Sequence, residues 1–491
     1  MKFYAIDDAL AEAIYAGDKP IRLKIDIEVN NHFESVFEQD VLEANFYGIK
    51  ESSGGVSSRG EVLLDNPQDI YSFTGVGPGS RVNVSFTVGE GLTFFQRFTF
   101  LIDYKGVQDL RGPGLRRLVR LGLLDFSYTL RKSDVAKDWT APAVFTYSVI
   151  CDKSQPQKSL VHGIAQRAGL APNDIDCSTI PVTLPFVQLT RNIWAELSSL
   201  AAAYRCHLES PVEKPLVFAH SPYQSETLTD DEISHTFTGA DIFYLRKTAR
   251  ADLYRNSVRL KVNMPVSLPK QEIWRYEDAP VFYDTYLQEY FPFRYPLHRK
   301  IEDFDYIAPY RVIENGKERN VIYADEIDTR EQAEARLDYD GGPFSYFQYD
   351  TTANRQKAIL KLHKENDGDL YQASIHGRPI VTDLNRSFFI RDDREIANFG
   401  TVALNVTGPY FSDFEVEGHP HYQHWAVREL AERTQQRHEI TVKTHRALIH
   451  ARVGARVKVR TKNEEAEGKI SAFTYRYRKH KAFEATFKIM Q

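Results

Sequence analysis

The sequence predicts an α+β protein, mostly β, with two β-barrel-like domains and a small α/β domain between them. Three observations carry that prediction. Ile21, Leu23, Ile25, Ile27 and Val29 alternate with Arg22, Lys24, Asp26 and Glu28, the period of two of a half-buried strand. Alternation opened by a glycine occurs towards both ends, at Gly79 before Arg81-Val82-Asn83-Val84 and at Gly454 before Arg456-Val457-Lys458-Val459. Between them the apolar spacing turns helical, over residues 159–168 and 192–206.

At 491 residues the chain exceeds a single hydrophobic core. The expected division is an N-terminal barrel-like domain over residues 1–147, an α/β domain over 148–246, an irregular β-rich region over 247–374 and a C-terminal barrel-like domain over 375–491. Hydrophobic content of 42% and charged content of 26% are those of an ordinary soluble protein. Aromatics are 12% of the chain, and they favour pleated surfaces and interfaces, so large contact surfaces are expected.

A net charge of -5 gives no overall attraction to nucleic acid. The charge is uneven, because residues 437–491 hold 14 Lys/Arg against 5 Glu. Such a run is the solvated face of a barrel or a basic interface to an acidic neighbour, with a nucleic acid backbone the minor alternative. Cys151, Cys177 and Cys206 have no CxxC spacing, and a bridge between two would strand the third. That argues for buried thiols in a reducing compartment. Asp7, Asp8 and Glu12 interrupt the opening segment, so no signal peptide is expected there. No run reaches the roughly 18 to 20 apolar residues of a membrane helix, and a soluble protein assembled in the cytoplasm is the expectation.

In chain order, the strand at residues 21–29 is followed by a strand, a Ser/Gly-rich turn and a second strand closing on Leu63-Leu64-Asp65-Asn66, where Asp65 and Asn66 would cap the turn. Residues 94–103 give another strand. Arg111, Arg116, Arg117 and Arg120 surround Gly112-Pro113-Gly114 as a basic rim rather than a phosphate loop, since no strand–loop–helix pattern encloses them. The 159–168 helix stops at Gly169. In the 192–206 helix Ile193, Trp194, Leu197, Leu200 and Ala201 share one face, and a strand LVFAH follows. Val258, Leu260 and Val262 restore alternation, whereas residues 274–310 read as a long aromatic loop. Asp328 would cap a short helix through residue 337, and strands are expected at 358–363 and 371–375.

The last segment opens with a strand pair turning on Gly377-Arg378-Pro379, then an acidic turn into Gly400 and an alternating Val402, Leu404, Val406. A helix over residues 422–437 carries Trp425, Ala426, Leu430, Ala431 and Thr434 on one face. The strand after Gly454 and the returning strands after Gly468 complete the chain.

No phosphate loop, HExxH, GxSxG or CxxC motif is present. His419, His421 and His424 lie close enough in sequence to share a metal, but the helix start would aim His421 and His424 along different faces, which favours a polar helix entrance. Glu302, Asp303, Asp305, Glu365 and Asp367 include possible carboxylate pairs for glycan hydrolysis, of a kind common as loop solvation in any long chain.

The order of these parts resembles the baseplate hub proteins of phage tails, of the late-control type. The matching residues are Gly377, Arg378 and Pro379, then Ile396, Phe399 and Gly400, Ala426 and Ala431, and Gly454, Val457 and Val459. Earlier in the chain the step Glu61 to Asn66, the Ala168-Gly169-Leu170 helix end, and Trp194, Leu197 and Ala201 match as well. The resemblance departs over residues 274–310 and in the acidic N-terminal extension. It implies a ring of three subunits with a central channel, joining the tail tube to the spike in the virion baseplate. It also implies no catalytic residues, no cofactor and no membrane, with DNA only as cargo. The alternative is a β-rich glycan-binding or glycan-hydrolysing tail protein, its aromatic loop at 274–310 gripping a saccharide.

Overall fold

The computed structural model describes residues 3–16, 19–51, 55–66, 75–111, 117–135, 143–189, 191–212, 214–219, 233–276, 304–306, 311–336, 338–339, 346–350, 358–363, 370–383, 386–408, 410–412, 415–416, 418–435, 438–446, 448–462 and 464–491. The protein is mostly β with segregated helices. Among the described residues its strands form no closed barrel.

A thirteen-stranded sheet dominates and draws on both ends of the chain. Its N-terminal part runs from His32–Val36 at one edge through Ile21–Val29, Arg81–Val88, Phe95–Arg111, Arg117–Leu124 and Val56–Asp65 to Val41–Lys50. That last strand is antiparallel to Glu465–Arg478, in register from Glu43 opposite Arg478 to Ile49 opposite Ala472. The sheet then continues through Glu484–Met490 and His438–Thr444 to Ile242–Ala249 at the other edge. Ile233–Thr238 joins by way of Arg456–Arg460. The alternation at residues 21–29 is met by alternating burial, with Leu23, Ile25, Ile27 and Val29 inside.

One hydrophobic cluster lies on this sheet. Phe46, Phe86, Phe98 and Phe100 from the N-terminal part pack with Phe473, Tyr475 and Phe487 from the C-terminal part. The Phe98 ring sits 5.5 Å from Phe46 and 6.1 Å from Phe473, so a continuous stack crosses the joint. Burying aromatics of this size contributes about 2 to 3 kcal/mol each. The two ends of the chain therefore share a core as well as a sheet.

A second cluster gathers the α/β unit. Helices Leu160–Gln166 and Ile193–Ala203 pack with Val258, Leu260 and Val262 and with Trp425, Ala426 and Leu430 of the helix His421–Gln435. Ser159 and Asn192 cap the first two helices by accepting from the N–H groups of His162 and Ala195. Trp194, Leu197 and Ala201 are all buried there.

Several expectations are corrected. Gly377-Arg378-Pro379 does not turn, but lies inside the unbroken strand Leu370–Asp383. On one side that strand changes neighbour at this point, from Gln271–Tyr276, which ends opposite Gly377, to Met264–Ser267, which begins opposite Ile380. The Pro379 carbonyl accepts there from the Leu268 N–H at 2.9 Å, so its absent N–H falls at the changeover and costs no ladder bond. The acidic turn is a helix, Asp393–Phe399, capped by Asp392. Thr329 rather than Asp328 caps the helix Arg330–Glu334, because Asp328 is buried and engaged with Lys270 at 3.2 Å and with Arg336. Cys151 and Cys177 form a disulfide and Cys206 stays free and buried, where three thiols were expected. Two strand ends distant in sequence bring the sulfurs together, which spacing could not show. The loop at 274–310 lies outside the described residues apart from the end of the strand Gln271–Tyr276 and Phe304–Tyr306.

Candidate functional site

A buried polar cluster sits where the large sheet meets the α/β unit. Arg97 is buried, donates to the Ala451 carbonyl at 2.9 Å, and lies over the rings of Tyr4 at 4.6 Å and Phe98 at 4.4 Å. Glu209, also buried, accepts from Arg452 and from the Tyr4 hydroxyl at 3.4 Å, with His207 Nε2 at 2.8 Å. The crevice they line has room for about one water, 20 Å³. The Arg452–Glu209 pair and the Tyr4–Glu209 bond span the joint, so the cluster ties the large sheet to the α/β unit. Trp194 adds to the same seam, its indole Nε1 donating to Glu51 at 3.1 Å.

The other residues singled out from the sequence serve the fold locally. Asp65 ends its strand and Asn66 is fully buried, with its N–H on the Arg117 carbonyl at 3.0 Å. Gly400, at φ 71°, ends the Asp393–Phe399 helix in the left-handed region. Its carbonyl accepts from Asn256 Nδ2 at 2.6 Å, while Asn256 Oδ1 accepts from the Val402 N–H at 2.7 Å. Gly454, at φ 87°, makes the tight entry to the strand Arg456–Arg460, and its N–H reaches the Ile470 carbonyl at 2.7 Å. Arg378 pairs with Glu326 at 3.1 Å.

His419, His421 and His424 do not form a convergent group of metal donors among the described residues. His421 is buried, stacked on Tyr204 at 4.5 Å, with Nε2 3.0 Å from the Ala203 carbonyl, and burial lowers its pKa to about 4. Glu302, Asp303, Glu365 and Asp367 lie outside the described residues, and Asp305 is described only by its backbone. Arg117 and Arg120 form pairs with Asp109 and Glu61, each at 2.9 Å.

The basic C-terminal run finds much of its counter-charge inside the chain. Arg476 meets Glu43 at 2.9 Å, Arg452 meets Glu209 and Arg446 meets Asp241, all acids from earlier segments. The local excess of cations in sequence is therefore partly internal complementarity. Of these only Arg476–Glu43 is solvated on both sides, and such a pair contributes about 0 to 1 kcal/mol.

What remains unmatched is apolar. In the edge strand Ile242–Ala249 every residue from Phe243 to Lys247 is exposed, with Phe243 at 48%, Tyr244 at 41% and Leu245 at 38%. A β-bulge at Phe243 interrupts the register, and beyond it Tyr244 and Leu245 fall on opposite faces, so both faces of this edge carry an exposed apolar side chain. At the opposite edge His32–Val36 follows a tight turn in which Asn30 and Asn31 take φ 51° and 66°, as a type I′ hairpin requires. It is exposed except for Val36, with Phe33 at 48% and the adjoining Phe37 at 59%. Sequence reasoning missed both edges. The run Ile242-Phe243-Tyr244-Leu245 was the available signal, four large apolar residues without alternation before Arg246-Lys247.

No family model and no curated protein matches the chain. Among solved structures, the tail protein from Neisseria meningitidis MC58 superposes with a TM-score of 0.50 at 8% identity, covering 96% of this chain and 97% of that one. The 43 kDa tail protein of prophage MuSo2 from Shewanella oneidensis follows at 0.48 and 9% identity, over 96% and 100% of the two chains. The prophage tail protein gp18 from Listeria monocytogenes EGD-e gives 0.43 at 12% identity, over 95% and 94%. The resemblance drawn from the sequence is thus met at the level of fold, over nearly the whole length of the Neisseria tail protein.

Proposed function

We propose that this chain is the structural hub of a phage or phage-like tail baseplate. Three copies form a ring that joins the tail tube to the spike around a central channel, through which DNA passes only as cargo. The observation that carries the reading is the pair of unlike open edges on a single sheet, both lined with exposed aromatics. An uncovered apolar edge invites strand pairing, and a folded protein normally protects it. Two different edges on each copy suit a head-to-tail contact, which closes into a ring when the rotation between neighbours divides the circle. On this reading the N-terminal and C-terminal parts of the sheet each supply a barrel-like wall, and the neighbour completes the curvature that one chain leaves open. The tail fold shared with the Neisseria protein supports it. The role is one of fit, without catalytic groups or a cofactor, and its place is the virion baseplate, assembled in the host cytoplasm.

Light scattering on the purified chain tests this. The unmodified protein is expected at three chain masses, and Leu245→Glu or Phe33→Glu should each give a folded monomer with an unchanged far-ultraviolet spectrum, since both side chains are exposed in the single subunit. A monomer from the unmodified chain at high concentration, or an oligomer indifferent to both substitutions, would count against the ring.

A further inference from the structure

Inside the α/β unit the strands Ala143–Cys151 and Ile175–Cys177 end beside the first turn of the helix Leu160–Gln166. The sulfurs of Cys151 and Cys177 and one ring nitrogen of His162 all lie within 4.8 Å of one another. All three residues are buried. We propose that, once its disulfide is reduced, this trio is a zinc site, so that a metal and a disulfide are alternative locks on the same joint.

The donor set is the argument's first support. Two thiolates and one imidazole are the ligands that select Zn²⁺ over harder cations, and three protein ligands leave a fourth position for water. The second support is preorganisation. His162 Nδ1 is 2.7 Å from Ser159 Oγ, and the same hydroxyl caps the helix by accepting from the His162 N–H. A bridge between Val149 and Ser159 ties that cap to the strand that ends in Cys151. The ring is thus held by an outer partner, the arrangement that orients metal-binding histidines. Cys206, buried in the same core, is not one of the three.

The exchange balances simply. Reduction of the S–S bond takes two electrons and two protons from a dithiol, which leaves as its own disulfide. Zn²⁺ then displaces the two thiol protons to solvent as the Zn–S bonds form. Oxidation runs the other way and releases the ion.

Cobalt titration of the full chain decides the matter, in a Cys206→Ser background that removes the third thiol. The reduced, desalted protein should take up one equivalent of Co²⁺, read as thiolate-to-cobalt charge transfer in the near ultraviolet, and Zn²⁺ should displace it. The oxidised protein should show no such band. His162→Gln should weaken binding at least tenfold with an unchanged far-ultraviolet spectrum, and Ser159→Ala should weaken it less. If His162→Gln fails to fold, His162→Cys replaces it, and this variant keeps a third soft donor and must still bind. A reduced protein without the cobalt–thiolate band, a His162→Gln variant that binds as tightly as its parent, or a folded His162→Cys variant that does not bind overturns the proposal.

Discussion

Asn256 shows how much can rest on one side chain that no pattern announces. It is fully buried, and its amide spans the exit of the Asp393–Phe399 helix, donating to the Gly400 carbonyl and accepting from the Val402 N–H. Its own backbone N–H and carbonyl are taken by Val402 and Asp392. Asn256→Ala would leave two main-chain groups without partners away from water, at about 1 to 3 kcal/mol for each unsatisfied group. A loss of roughly 2 to 6 kcal/mol in urea unfolding is expected, and a change within about 0.5 kcal/mol would show that solvent replaces the amide. Gly400 was legible in the sequence as the end of an acidic turn, though not as the stop of the helix Asp393–Phe399. Asn256 was not, because the two lie 144 positions apart and only the fold brings them together.

At the scale of elements, amphipathic periodicity located the helix His421–Gln435 to within two residues at each end. It also picked out the side that packs, since Trp425, Ala426 and Leu430 are buried. It did not foresee that Ala431 is exposed, or that Glu429 and Glu432 on the polar side bind Arg205. Trp425 fills the space beside Phe411, 5.1 Å between ring centroids, and its indole donates to the Ala202 carbonyl at 3.0 Å. Trp425→Ala removes both the packing and the donor, so a loss of about 3 to 5 kcal/mol is expected in denaturant unfolding. A loss below about 1 kcal/mol, within the range of surface substitutions, would show that the helix is not anchored there. The disulfide is an element-scale feature too. Closing a loop with a sequence separation of 26 contributes about 3 to 4 kcal/mol on the chain-entropy account.

For the whole molecule, the buried titratable groups set how stability answers to pH. Burial holds His421 and His450 at about 4, with His235 and Arg97 adding to the effect on His450. Both pKa values lie below the unfolded value, so the unfolded chain takes up protons first, and stability falls as pH drops from 6.5 towards 4. Each group withdraws about 3 kcal/mol over that range. Asp125 acts in the opposite sense. Burial raises its pKa to about 6 against the hydrogen bonds from Ser127 and Ser58, so its contribution is present at low pH and is lost as pH rises through 6. Acidification therefore regains about 3 kcal/mol from Asp125 while losing about as much from each of His421, His450 and His235, which burial also lowers to about 4. The net expectation is a fall in stability between pH 7 and pH 4, because the depressed histidines outweigh the one raised carboxyl. Urea midpoints across this range check it, and a midpoint that rises on acidification would contradict the assignment of neutral buried histidines.

Local chemistry was enough for the sequence by itself to determine many of the strands and the helices that start near residues 160, 193 and 421, but not the helix Asp393–Phe399, which reads as a turn. The alternation at residues 21–29, the glycine before the strand Arg456–Arg460 and the caps Ser159 and Asn192 all act within a few residues, where side-chain direction and backbone hydrogen bonding settle the outcome. Only the tertiary structure decided that Val41–Lys50 pairs with Glu465–Arg478, that Gly377 to Pro379 run straight through an inner strand, and that Cys151 meets Cys177 beside His162. It alone showed which strands are left as open edges. Pairing partners are selected by shared burial and by ladder bonds between segments hundreds of residues apart, and a period read along one strand carries no record of the strand beside it.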